Sequence, residues 1–391
     1  MNVKKLFSRV ILALLCAPVF AGPLYSPTWA FAIDLPAGYE LSGGNGIDRF
    51  AFEHPQGAYF ALVVYHAGDG RHSTHASLGA LVQDTQRRLN NSGGAESFMY
   101  RGRQAFVIEL AFSLFDDSGR ANPMSGWAIA LELGATAGGA SGPPPKLLAM
   151  AYGPEDREDL VAFHLSALNS IAAKTQDRLA PGPITEFLYP RHTQITAPIF
   201  GLGIYARIFQ EDAGAAQALI DREFLLLTRY LAAPNWQEAW RRFYRAIHRD
   251  SFYRLSDIAL QVERTLNAPG TGSREFAERV LRWVQTFTYE RDFEGSDFVN
   301  LVSAVTEGRG DCDSRAMLWA MILRQADIPS GIMVSRHYSH AMGLADVPGP
   351  GARMEMNGQS FLVAETTARV PIGLIEQELS VIDHWMGIIF E

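Results

Sequence analysis

The sequence predicts an α+β protein of 391 residues, with an N-terminal antiparallel-sheet domain and flanking helices, a helical middle segment, and a mixed C-terminal domain built around one cysteine. Three observations predict it. Short β-rich runs separated by turn signals fill the first half; helical spacing takes over after Leu179-Ala180-Pro181-Gly182-Pro183; and helix and strand patterns follow one another behind Cys312. With 48% hydrophobic and 19% charged residues the composition is globular. The expected divisions are a leader at 1–21, a sheet domain at 22–175, a helical linker at 176–250 and a C-terminal domain at 251–391.

The leader comes first. Lys4, Lys5 and Arg9 precede the apolar run Val10 to Ala17, and Val19-Phe20-Ala21 is a small-x-small cleavage pattern. This reads as a secretory signal, so the protein is expected to be exported, periplasmic or secreted. The apolar run is far shorter than the ~20 residues that span a bilayer, so no stable membrane span is expected once the signal is removed. Cys16 follows Leu15, where a lipobox needs a small residue, which argues against lipidation. The formal net charge is -8, and only Lys4, Lys5, Lys146 and Lys174 among the 34 basic residues are lysine. An acidic chain with no basic stripe argues against nucleic acid as a partner.

In the sheet domain, Phe31 to Leu35 alternates, Tyr59 to Tyr65 is nearly continuous in apolar residues, and Phe98 to Leu114 holds the tight turn Arg101-Gly102-Arg103. Trp127 to Leu133 and Leu147 to Tyr152 complete the strands. Leu78, Leu81, Val82 and Leu89 have helical spacing, as do Leu160, Val161, Phe163, Leu165, Leu168 and Ile171. Ala135 to Pro145 is too rich in Gly and Pro for regular structure and reads as a hairpin excursion. An extended segment beginning FAIDLPAGYE, a sheet and two helices together resemble the PsbP/Mog1 type of α/β/α sandwich.

In the middle segment, residues 213–232, 235–249 and 253–266 have helical spacing, punctuated by Pro234 and by Asp250-Ser251. The apolar run Ile195 to Phe209 is expected to form a buried helix pair.

Cys312 is the only cysteine left once the leader is gone, so an intrachain disulfide is excluded. It opens an apolar stretch, Ala316 to Leu323, that predicts a buried helix ending before Pro329. Asp311 is the expected N-cap. A sulfur in the first turn faces unpaired N–H groups and the positive end of the helix dipole, which favour a thiolate and an oxyanion beside it. The plain alternative is a buried cysteine that serves as a small hydrophobe behind a capped loop.

Upstream, Phe276, Val280, Trp283, Val284 and Phe287 mark an amphipathic helix over Glu275 to Thr288, followed by Tyr289 and Asp292. Downstream, IMVSRHYSHAMGLA alternates as one strand, which sets His337 and His340 on opposite faces. The Asn357-Gly358 pair signals a hairpin, and the strand after it places Glu365 at an apolar end where a carboxylate needs a partner.

The order GRGDCDSRA, SHAM and VAETT resembles the transglutaminase-like superfamily of papain-fold cysteine enzymes, over about residues 270–375. The upstream WVQTFTYERDF is also similar to the helix before the cysteine loop in bacterial members. The resemblance implies that Cys312 is the nucleophile, His340 its base and Glu365 the acid that orients the imidazole. Glu stands where Asp is usual, and Met342-Gly343 replaces the usual aromatic and acid after His-Ala. His337 is a reserve candidate for the base, and Gln285 and Tyr289 are candidates for the oxyanion donor. The implied reaction is thioester acyl transfer on an amide, resolved by water or by a second amine, with no cofactor. Water is the simpler acceptor, which gives peptide or isopeptide hydrolysis. The compartment suggests a protein or cell-wall peptide as substrate. Two rivals stand beside this reading. One is a catalytically inactive binding or scaffold protein of the cell envelope. The other takes Cys312, His337, His340 and Glu365 as zinc ligands, in a geometry poorly suited to a tetrahedron, so no metal is assigned.

Overall fold

The computed structural model describes residues 22–66, 75–134, 144–291 and 296–390. The leader, Cys16, the Gly/Pro-rich stretch from Ala135 to Pro143 and Asp292 lie outside the described residues. The chain divides into two compact units: the residues up to Leu188 with Leu225–Arg242, and Tyr189–Phe224 with the residues from Phe243 onward. Two of the three boundaries fall inside helices, Asp212–Thr228 and Trp236–Arg254, and the third follows the short helix Pro183–Leu188.

The first unit is built on a seven-stranded antiparallel sheet. Its spatial order is Glu40–Gly44, Arg49–Glu53, Tyr59–Tyr65, Lys146–Pro154, Ala121–Glu132, Arg103–Phe115 and Ala95–Tyr100. Helix Leu78–Leu89 buries Leu78, Leu81 and Val82 against Ala61, Val63, Tyr65, Leu148 and Met150 on one face. The alternate residues face the other way, where a Cβ on Gly153 would meet Leu160 and His164 of the segment leading into and through helix Val161–Asn169. With helices on both faces the central strands are covered on both sides, which is why Tyr59 to Tyr65 is apolar almost throughout, whereas the edge strands Glu40–Gly44 and Ala95–Tyr100 stay largely exposed.

The second unit has a five-stranded antiparallel sheet in the order Arg353–Met356, Gln359–Ala364, His340–Ala345, Ser330–Ser335 and Met386–Ile389. Helix Cys312–Gln325 packs on its two central strands and is buried nearly all round, with Trp319 fully inaccessible. The contact is close enough that a Cβ on Gly343 would lie 2.4 Å from Trp319. The opposite face is filled by Met333, Met342, Leu344, Phe361, Val363 and Trp385. At Asn357 (φ 50°) and Gly358 (φ 78°) two left-handed residues close the expected hairpin.

Three expectations are corrected. Ile195 to Phe209 is a β-hairpin, Gln194–Ile199 with Ile204–Phe209, and not a helix pair. Its burial alternates with period two, and Gly201 (φ 72°) and Gly203 (φ 66°) turn the chain through left-handed backbone. Asp250-Ser251 does not break the helix Trp236–Arg254. There Asp250 instead pairs with Arg254 one turn on at 2.7 Å, and Arg254 also meets Asp212 at 2.5 Å, so the pair is buried and satisfied. The run from Ile332 to Ala345 is two antiparallel strands, in which Ser335 pairs with His340 across a turn at Arg336 to Ser339. Ser339 takes a left-handed φ of 49°, and His337 lies in the turn, so the face argument for the two histidines does not apply.

Candidate active site

Cys312 is the first residue of its helix, and Asp311 caps it by accepting the Ser314 amide at 2.8 Å. The sulfur is buried, with 5% of the residue exposed. The loop that delivers it is fixed from behind. Gly308 closes helix Leu301–Glu307 in the left-handed region (φ 68°), where a Cβ would come 2.2 Å from Phe200. Arg315, one turn into the cysteine helix and 2% exposed, donates to Gly310 O at 3.0 Å and to Phe287 O at 2.7 Å. Its guanidinium also lies 5.4 Å from the centre of the Tyr289 ring. One buried arginine therefore ties the entry to the helix to the segment carrying Tyr289.

Polar groups surround the sulfur on several sides. The thiol donates to Asp313 Oδ2 at 3.6 Å. The Ala341 amide, next in sequence to His340, lies close enough to the sulfur to favour its charged form. The Tyr289 hydroxyl lies near it as well, close enough for the two groups to act on each other's charge. Among the described residues His340 is not a hydrogen-bond partner of the thiol. Tyr244 in turn donates its hydroxyl to Asp313 Oδ1.

The imidazole half is assembled. His340 opens its strand, and its Nε2 lies 2.7 Å from Glu365 Oε2. The other oxygen of Glu365 accepts from the Thr367 amide at 2.7 Å and from the Thr367 hydroxyl at 2.6 Å. Gln285 holds the backbone around the acid by donating to Glu365 O at 2.8 Å and to Val370 O at 2.9 Å. Both of its amide hydrogens are thereby engaged, which removes Gln285 from the oxyanion candidates. Tyr289 belongs to the short strand Thr288–Tyr289, beyond the helix Ser273–Val284, and is half exposed beside the sulfur.

The electrostatics of the two halves differ. Burial works against the charged form of Glu365, but the His340 hydrogen bond and charge, with the Thr367 donors, outweigh it and hold the carboxyl below its ordinary value. Burial, then the Asp313 and Asp311 carboxylates, push the Cys312 thiol well up. The helix-start advantage expected for a thiolate is outweighed by burial first and then by these two acids, which GDCD places on either side of the sulfur. Burial and Asp313 likewise raise Asp311. Tyr289, partly withdrawn from water and close to Cys312, is pushed up to about 12 and so stays a donor. Donor atoms of Asp311, Cys312 and Asp313 lie within 4.8 Å of one another. Each already has a protein hydrogen-bond partner, and none is assigned to a metal.

His337 is exposed in the hairpin turn, its ring 4.1 Å from that of His384 and 4.8 Å from that of Tyr338. The residues that sequence reasoning missed are Asp313, Tyr244 and Thr367. Thr367 was signalled by the acid-x-Thr spacing of VAETT, whereas Tyr244 lies 69 residues from Asp313 with no local cue.

No helix among the described residues is long and apolar enough to cross a membrane. No curated protein gives a significant match to the chain. A crystal structure from Bacteroides thetaiotaomicron VPI-5482 is similar at 8% identity over 57% of this chain and 75% of that one, with a TM-score of 0.25, too low to bear on the fold. The family match is local: residues 260–354 fit the family described as the transglutaminase-like superfamily, a stretch that holds Cys312 and His340 and stops short of Glu365. A buried cysteine helix laid across a sheet that carries a His–Glu pair agrees with that match, and the C-terminal part of the chain is a transglutaminase-like domain.

Proposed function

We propose that the C-terminal domain performs thioester acyl transfer on amide bonds, with Cys312 as nucleophile, His340 as base and acid, and Glu365 as the group that orients the imidazole. The observation that carries this reading is the 2.7 Å His340–Glu365 pair with the Cys312 sulfur seated at the amide of the neighbouring Ala341. With Nε2 committed to Glu365, Nδ1 is the ring nitrogen free to take the thiol proton. Sulfur attack forms the C–S bond and an oxyanion, which the Cys312 amide and the Tyr289 hydroxyl are placed to receive. His340 then protonates the leaving amine as the C–N bond breaks, and the acyl group remains as a thioester. Water, deprotonated by His340, cleaves the thioester and restores the thiol. Hydrolysis of a peptide or isopeptide bond is the proposed outcome, since water needs no second binding site.

The basic and apolar leader supports export, and a periplasmic or secreted location makes protein or cell-wall peptides the proposed substrates. The scaffold reading draws on one specific observation, the resting contact of the thiol with Asp313 in place of His340. Trapping on the full chain separates them. Incubated with a periplasmic extract and quenched in acid, wild type is expected to carry an acyl adduct on Cys312 by mass spectrometry, absent from Cys312→Ala. A wild type without adduct would leave the scaffold reading in possession.

A further inference from the structure

The sulfur of Cys312 has two claimants for its proton. His340 opens a strand of the sheet, with Nδ1 available once Nε2 is bound to Glu365 at 2.7 Å. Asp313 is the next residue in the helix, and its Oδ2 accepts the thiol at 3.6 Å. A side chain one residue along a helix ordinarily points elsewhere. Here it is held in place by a hydroxyl from another helix: Tyr244, 5% exposed in Trp236–Arg254, donates to Asp313 Oδ1. The carboxylate thus bridges a buried phenol and the thiol. We propose that Asp313 is a positioning residue that keeps the Cys312 proton turned from His340 in the resting protein, and that Tyr244 fixes Asp313 for that role. This rests on the acyl-transfer reading of the same site and adds a resting state to it. The sulfur must pass from Asp313 to the imidazole before it can attack.

The charged and titratable groups around the sulfur are consistent with such a state. Asp311 and Asp313 flank it on its own helix, where Arg315 also interacts with it; Tyr289 and Arg291 approach from the preceding segment. Tyr244 stands behind Asp313, and His340 with Glu365 comes from the sheet. Carboxylates flank the thiol on both sides, with donor atoms within 4.8 Å, so ionising the sulfur in place sets like charges side by side.

Alkylation of the full chain by iodoacetamide, followed from pH 6 to 11 by mass spectrometry, tests the proposal. In this reaction the thiolate forms a C–S bond, iodide leaves, and the thiol proton has passed to solvent. Wild type is expected to show a midpoint above the ~8.5 of a free thiol. Asp313→Asn is expected to lower the midpoint by about 1 pH unit and to speed alkylation at pH 7 by about tenfold. His340→Ala is expected to leave the wild-type midpoint in place, because the resting thiol is not paired with the imidazole. An Asp313→Asn profile that matches wild type overturns the proposal. So does a His340→Ala midpoint raised by a unit, which would reveal a resting ion pair; that variant decides the matter even if Asp313→Asn does not fold. Failure of the acyl-transfer reading shows separately, as an absent adduct with these alkylation shifts intact.

Discussion

Glu365 and Asp313 are both carboxylates within hydrogen-bond reach of a titratable partner, yet the charged form of one partner attracts its carboxylate and that of the other repels it. Glu365 faces an imidazole whose charged form is positive, accepts two bonds from Thr367, and stays below its ordinary value despite burial. Asp313 faces a thiol whose charged form is negative, and helps push that thiol up. Burial opposes charge in both places, so the outcome turns on what the neighbour becomes when it ionises. Carboxylate and imidazolium compensate each other, whereas carboxylate and thiolate do not. A histidine half assembled in advance and a sulfur half held back are the two products of one kind of side chain.

The largest expected effect breaks the first half. Glu365→Gln keeps the size and offers Nε2 a neutral partner, but loses the charge that supports an imidazolium. Acyl-adduct formation on Cys312 is expected to slow by about 10²-fold or more, measured by quench and mass spectrometry on the same extract. An unchanged rate would mean that the pair only holds the strand, and the contrast with Asp313 would lose its catalytic content.

The sulfur half is sharpened by pH. A thiol whose folded-state value is raised above the unfolded one stabilises the fold fully below about 8.5, and that contribution is lost as pH rises beyond it. Between pH 8.5 and 9.5 wild type is expected to lose about 1 kcal/mol more than Cys312→Ser, read as the difference in thermal midpoints at the two pH values. Equal losses would place the thiol at an ordinary value and remove the opposition between the two acids.

Much of the site was legible because it is local. Asp311 as cap, the buried helix from Cys312, and the Asn357-Gly358 hairpin all follow from a few adjacent residues, and His340 and Glu365 follow from the order of three short motifs. The apolar run Ile195 to Phe209 misled because composition says buried without saying helix or strand, and only the period-two burial, visible in the fold, decides. The single strand expected from Ile332 to Ala345 failed similarly: its alternation continues through a four-residue turn that lacks Gly and Pro, and Ser339 supplies the left-handed residue instead. Asp313 was read as part of a motif and its effect on the sulfur was missed, since the helix start argues for a thiolate until burial and a second acid are set against it. The Tyr244 and Gln285 contacts join segments 69 and 80 residues apart, and no periodicity announces them.

The smallest effect separates the hydrogen-bond part of the contrast from its charge part. Thr367 gives Glu365 two donors, an amide at 2.7 Å and a hydroxyl at 2.6 Å. Thr367→Val removes the hydroxyl alone and keeps the branched shape, so the carboxylate retains the amide and His340. The expected cost at pH 7 is about 0.5–1.5 kcal/mol. Its pH dependence has a definite sign. Glu365 lies below its unfolded value, so its contribution is present above about 4.3 and fades as pH falls through the folded value. Losing a donor to the charged form moves that folded value upward and shrinks the contribution, so the variant and wild type should differ at pH 7 and converge in acid. Urea midpoints at pH 7 and at pH 3 measure it. A difference that persists unchanged at pH 3 would assign the loss to packing of the threonine, and the depression of Glu365 would then belong to His340 and the Thr367 amide.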